Sequence, residues 1–171
     1  MGFKDELIYS TEDLGTRIMA TGVEQAISVA LRSKTVAVVG LSRNPAKPSN
    51  QIASYLKSHG YLVVPVNPAT NEVLGEKCYR TLLDLPDHLK SKIEVVDIFR
   101  RAADVPLIVE QAIELHHNYA HPAVVWMQLG IVNEEAAATA RKAGLGVVMD
   151  RCMMVESERR RLDRSRSSRP T

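Results

Sequence analysis

Residues 35–49 read TVAVVGLSRNPAKPS, and the reading of this stretch decides the fold. Five strand-favouring residues, Thr35 to Val39, run directly into Gly40. A polar loop with Ser42, Arg43, Asn44, Pro45, Lys47 and Pro48 follows, and the next helix opens near Ser49. A buried strand, a glycine turn and a helix start are the parts of a phosphate-binding crossover, because the first N–H groups of a helix lack intrahelical partners and carry the positive end of its dipole.

The same alternation continues outward. Apolar runs at 61–66 (YLVVPV), 93–98 (IEVVDI), 123–127 (AVVWM) and 146–149 (GVVM) read as four further strands, with 78–80 a short edge strand. Between them, helical spacing appears at 49–59, 105–115 and 133–143, with a one- or two-turn helix at 82–89. Before the first strand, Val23, Ala26, Ile27, Ala30 and Leu31 form a helical stripe. Residues 1–22 are polar and broken by Gly15 and Gly22, with Ser10 and Asp13 spaced like a capping box. Pro65 sits awkwardly in the second strand, since proline cannot donate to a ladder. Apolar strands alternating with helices imply strands covered on both faces. The expected fold is α/β: a single Rossmann-like, doubly wound, mainly parallel five-stranded sheet with helices on both faces. The expected organisation is a helical N-terminal extension (1–32), a binding domain (33–156) and a disordered arginine-rich tail (157–171).

Composition excludes several classes. Hydrophobic residues make up 45% and charged residues 25%, an ordinary globular balance. Six arginines against Glu158 and Asp163 after residue 156 give the tail +4, so the rest of the chain carries −2 of the net +2. A basic run with almost nothing apolar to fold around reads as a solvated tail rather than a nucleic-acid arm. Cys78 and Cys152 stand far apart without a CxxC pair, which argues for free thiols in a reducing, cytoplasmic setting. Neither a secretory leader nor a membrane-spanning apolar run is expected. The sequence leaves monomer and homodimer equally open.

A parallel sheet binds ligands at the carboxyl ends of its strands, where strand order reverses. Gly40 to Lys47, Asn67-Pro68, Asp97 to Arg100, Gln128 to Gly130 and Asp150 to Cys152 all fall at such ends. An NAD site would need GxGxxG after the first strand and an acid after the second. The loop instead reads GLSRNP, and the second strand ends in Asn67. No GxxxxGK[ST] is present either. A hydroxyl and two cations beside free N–H groups suit a ligand with more phosphate charge than NAD.

The segments VAVVGLSRNPAKPSNQIASYLKSHGYLVVPVNP, VDIFR and WMQLGIVNEEAAATARKAGLGVVMDRC resemble the small stand-alone CoA-binding proteins, which are similar to the nucleotide-binding domain of the succinyl-CoA synthetase α subunit. The resemblance implies a CoA or acyl-CoA ligand. It implies that Gly40, Leu41, Ser42 and Arg43 line the diphosphate and that Lys47 meets a phosphate. Asn67 and Pro68 would border the adenosine end, and Asp97, Phe99 and Arg100 the opposite wall. The synthetase subunits continue into a domain with a phosphorylated histidine, for which these 171 residues leave no room. The expectation is therefore a binding protein with no catalytic or metal-ligating residue: a carrier, sensor or regulator. The alternative is an enzyme on the same fold, either an NAD-type oxidoreductase or an acyl-CoA-transforming enzyme using Cys152. For Trp126 core packing is expected, and for His116, His117 and His121 a solvated helix end rather than a metal site.

Overall fold

The computed structural model describes residues 11–167, with side chains from residue 22. Its main sheet has five parallel strands: β1 (Thr35–Val39), β2 (Leu62–Val66), β5 (Val95–Ile98), β6 (Val124–Met127) and β7 (Gly146–Val148). They are ordered β2-β1-β5-β6-β7. Every residue of β1, β5 and β6 is buried, as near-continuous apolar runs require when both faces are covered.

Strand order and crossover hand fix where the helices go. The chain leaves β1 toward β2 through α2 (Pro48–Ser58), then crosses back over β1 to β5. It continues in the opposite direction through α4 (Val105–Tyr119) to β6 and through α5 (Glu134–Lys142) to β7. Right-handed crossovers travelling in opposite directions lie on opposite faces. Accordingly, α4 and α5 contribute Ile108, Val109, Ala112, Ala136 and Ala140 to one core, while α2 contributes Ile52, Ala53 and Leu56 to the other. The reversal between β1 and β5 is the topological switch point of the sheet.

The helix α1 (Thr11–Arg32) is longer than the sequence suggests and runs through both Gly15 and Gly22. A glycine costs a helix about 1 kcal/mol relative to alanine but removes no hydrogen bond, so it does not force a break as proline would. Ser10 of the expected capping box lies outside the described residues. Ala26, Ile27 and Ala30 are buried against Val36, Val124, Trp126 and Val148, so the end of α1 covers the same face as α2.

Pro65 is accommodated because β2 is an edge strand. The Pro65 carbonyl accepts from Tyr79 N–H on the outer side, whereas the Val66 carbonyl accepts from Gly40 N–H on the inner side. The proline nitrogen thus faces away from β1. The edge strand expected at 78–80 is a single bridge, Val66 to Tyr79. A two-residue hairpin, β3 (Glu72–Val73) with β4 (Glu76–Lys77), precedes it. Its turn residues Leu74 and Gly75 both have positive φ, as primed hairpin turns require. The expected helix at 82–89 is split before Pro86 into a 3-10 turn, Leu82–Asp84, and α3 (Asp87–Lys90).

Of the tail expected to be disordered, residues 157–167 are helical, and residues 168–171 lie outside the described residues. The chain is helical from Met153 to Ser167 (α6). Met153 is fully buried and Glu156 nearly so, so the first turn of α6 packs down and carries the polar turns after it. Composition suggested a tail because the stretch after residue 156 contains the arginines and leaves out Met153 and Glu156, which anchor the helix. Among the described residues, no helix is long and apolar enough to cross a membrane.

If α1 is part of the core, Ile27→Ala should destabilise the protein by about 2–5 kcal/mol. Urea unfolding checks this, and a loss below about 0.5 kcal/mol would make α1 an appendage.

Candidate binding site at the sheet's switch point

Gly40 ends β1 with φ +87°, a conformation that glycine adopts without strain. Its missing Cβ has a second use. A Cβ built there would lie 2.9 Å from the Phe99 carbonyl oxygen and 2.9 Å from Arg100 Cδ, so the chain after β5 can sit directly against the chain after β1.

The loop that follows is held by its own polar side chains. Ser42 N–H donates to Ser49 Oγ (3.1 Å), Asn44 N–H to Ser42 Oγ (3.1 Å) and Ala46 N–H to Asn44 Oδ1 (2.9 Å). Asn50 Nδ2 donates to the Ser42 carbonyl (2.8 Å). Asn67 reaches across from the end of β2, its Nδ2 donating to the Leu41 carbonyl (2.9 Å) while its Oδ1 accepts from Ala69 N–H (2.9 Å). Among the described residues, this leaves the N–H groups of Leu41, Arg43 and Ser49 without a partner in the chain. Pro48 occupies the first turn of α2, and Lys47 at its N-cap makes no capping bond.

Two clefts meet at Gly40. The larger, about 490 Å³, lies on the α2 side and is lined by Ser42, Lys47, Ile52, Phe99, Gln128 and Cys152 among others. The smaller, about 210 Å³, lies on the α4 side between Val66, Pro68, Arg80, Arg100, Leu107 and Ile108. A third, polar groove of about 610 Å³ runs outside the loop between Arg43, Pro45, Asn50 and residues 69–74. The ten residues singled out from sequence are therefore distributed. Ser42, Lys47 and Phe99 share the larger cleft, and Pro68 and Arg100 share the smaller, with Gly40 in both. Arg43 faces the outer groove. Leu41 is fully buried, backbone included, and lines none of the three. Asn67 holds the turn from behind, and Asp97 lies under the cleft rather than on its wall.

Asp97 is fully buried, and its Oδ1 accepts from Gln128 Nε2 (2.8 Å). Its Oδ2 has no partner. Burial pushes the carboxyl up to about 7, against the opposing pull of the Gln128 bond and a backbone bond from Ile98. Gln128 in turn accepts the Met153 N–H at the start of α6 on Oε1 (3.4 Å), so one buried chain ties β5, the cleft wall and α6 together. Trp126 packs in the core with its Nε1 donating to the Arg151 carbonyl (2.7 Å). Asp150 Oδ1 accepts from Gly130 N–H (2.7 Å), a loop-closing role. His116 Nδ1 lies 2.8 Å from the Pro122 carbonyl, and no group of three His, Cys, Asp or Glu side chains among the described residues is placed to hold a metal ion. Sequence reading missed Ile52, Asn50 and the hairpin residues 69–74. They are supplied by a helix face and a turn whose direction no linear motif encodes.

An open α/β sheet with a glycine loop and clefts at its switch point defines a nucleotide-binding class of domain. Residues 34–158 match the CoA-binding domain family model. The chain belongs to that family. It is 36% identical over 124 residues to the Bacillus subtilis (strain 168) protein YneT, covering 72% of this chain and 85% of that one. It is 31% identical over 134 residues to the ADP-forming acetate–CoA ligase I of Archaeoglobus fulgidus, covering 73% of this chain and 18% of the ligase. Among solved structures, a protein from Pyrococcus horikoshii OT3 superposes with a TM-score of 0.69 at 39% identity, covering 93% of this chain and 98% of that one.

The Asp97 carboxyl gives a pH prediction. Its folded-state pKa lies above the ordinary value of 3.8. Its stabilising contribution is therefore full below pH 3.8 and lost as pH rises through about 7. The full shift corresponds to an upper bound on the order of 4 kcal/mol. Chemical unfolding between pH 5 and 9 should show stability falling, and Asp97→Asn should flatten that slope. An unchanged slope in the variant would assign the dependence elsewhere.

Proposed function

We propose that this protein binds CoA or an acyl-CoA and works as a carrier, sensor or regulator. The observation that carries this reading is the meeting of two clefts at Gly40, beside a loop with unpaired N–H groups at Arg43 and Ser49, a hydroxyl and a lysine. The larger cleft falls within the size range of small-molecule sites. In this reading the adenosine end occupies the smaller cleft, bordered by Pro68 and Arg100 with Asn67 behind them. The diphosphate lies over Gly40, Leu41, Ser42 and Arg43, and Lys47 meets a phosphate. The pantetheine arm runs along the larger cleft past Phe99 toward Gln128 and Cys152, with Asp97 beneath holding Gln128 in place. The free thiols of Cys78 and Cys152 suit a reducing compartment, and we place the protein in the cytoplasm on that ground.

A second reading has one specific observation behind it. Cys152 lines the same cleft as Lys47 and Ser42, where an acyl-CoA-transforming enzyme would keep a nucleophile. Intact-mass spectrometry after incubation with an acyl-CoA separates the two readings. A covalent acyl adduct that is lost in Cys152→Ser favours the enzyme, and an unmodified chain with full CoA affinity in that variant favours the binding protein.

Isothermal titration of the reduced protein is the direct test. CoA should give a saturable isotherm, and NADH should give none at submillimolar concentrations because the loop lacks the glycines and the acid an NAD site uses. Lys47→Ala should weaken CoA and dephospho-CoA alike, about tenfold or more, because Lys47 lines the larger cleft beside the diphosphate loop and not the smaller one that takes the adenosine end. A loss confined to CoA would move Lys47 to the ribose phosphate, and tighter binding of NADH than of CoA would overturn the reading.

A further inference from the structure

Three of the six arginines that composition assigned to a solvated tail are arranged around a concavity. Ser157, Arg160, Arg161 and Arg164 recur at helical spacing on one face of α6, where they meet Leu31 and Arg32 at the end of α1. Together these six residues line a hollow of about 70 Å³. It lies away from the two clefts at Gly40 and shares no lining residue with them.

Its charge is not balanced within the protein. Arg160 lies 3.9 Å from Glu24, which also pairs with Arg151. Arg161 lies 3.0 Å from Glu158, which is also the acceptor of the Tyr55 hydroxyl. Among the described residues, Arg32 and Arg164 have no acidic partner within salt-bridge distance. Four guanidiniums thus face two carboxylates that are already shared. Arginines at i and i+4, such as Arg160 and Arg164, repel one another on a helix. Arg32 and Arg164 each also sit in the last turn of a helix, where a cation suits the C-terminus.

We propose that this hollow is a second anion site, taking a single phosphate-type oxyanion, either free or as the terminal group of a larger ligand. The guanidinium fork matches the paired oxygens of such a group in a way that a lysine does not. The hollow has room for a tetrahedral group. Its lining contains no aromatic ring on which a nucleobase would stack. A bound oxyanion would bridge α1 to α6. Because α6 starts at Met153, which donates to the Gln128 that lines the larger cleft, the site would brace one wall of that cleft.

The test is an amide-resolved NMR titration of the full chain with inorganic phosphate at constant ionic strength, with chloride as the reference. Saturable shifts at Arg32 and 157–164, distinct from any at 40–49, are expected. Replacing both Arg32 and Arg164 by serine should weaken them about tenfold or more, while Lys47→Ala leaves them unchanged. The double variant should still bind CoA as the parent does if the proposed function holds, so failure of either idea is visible without the other. A phosphomonoester that competes with phosphate places the group on a small ligand, and an anionic lipid vesicle that competes places it on a headgroup. Shifts no larger than with chloride, or unchanged in the double variant, overturn the site. Binding of a single-stranded oligonucleotide that phosphate does not displace would replace it with an extended electrostatic surface.

Discussion

The architecture depends on one close approach. Where β1 ends, the backbone after β5 comes so near that a single added carbon on residue 40 would meet a carbonyl oxygen at 2.9 Å. That approach closes the switch point, brings Phe99 and Arg100 to either side of the glycine and joins two clefts into one continuous edge. A side chain at position 40 would strain the backbone at φ +87° and push the two strand ends apart together. The sheet would survive as a sheet, but its binding edge would not be the same surface.

Around that contact the loop is built from short polar side chains rather than from further glycines. Ser42, Asn44, Ser49 and Asn50 satisfy one another's backbone groups, and Asn67 ties the turn to the end of β2. A loop fixed in this way loses little conformational freedom when a ligand arrives, so more of the contact energy appears as affinity. The cost is that most of its N–H groups are spent internally, which leaves few backbone donors for a ligand.

Asp97 shows how a side chain can matter to a cleft without touching it. It stands on the same sheet face as Trp126, is wholly buried and has one unpartnered oxygen. That combination costs stability when the group is charged. Its bond to Gln128, and Gln128's acceptance of the Met153 N–H, give the cost a structural return. The cleft wall, the sheet and the start of α6 are held in one buried line.

Much of this was legible in the residues. The five apolar strands, the glycine turn, the helix starts near Ser49 and at Asn133 and the crossover class all follow from local pattern, because buried parallel strands and helix caps are short-range physics. So does the exclusion of an NAD fingerprint, which is a matter of missing glycines and a missing acid. What the sequence could not decide is which side chains share a cleft. Arg43 and Lys47 lie four residues apart, yet they face different grooves on the two sides of one loop. Asp97 and Phe99 belong to one short segment, yet one is buried beneath the site and the other lines it. Composition reads the arginine run as disordered, whereas the packing of Met153 and Glu156 anchors a helix through Ser167, and Arg32 joins it only through the meeting of two helices distant in sequence. Periodicity reports which face of an element is apolar; only tertiary packing fixes what that face meets.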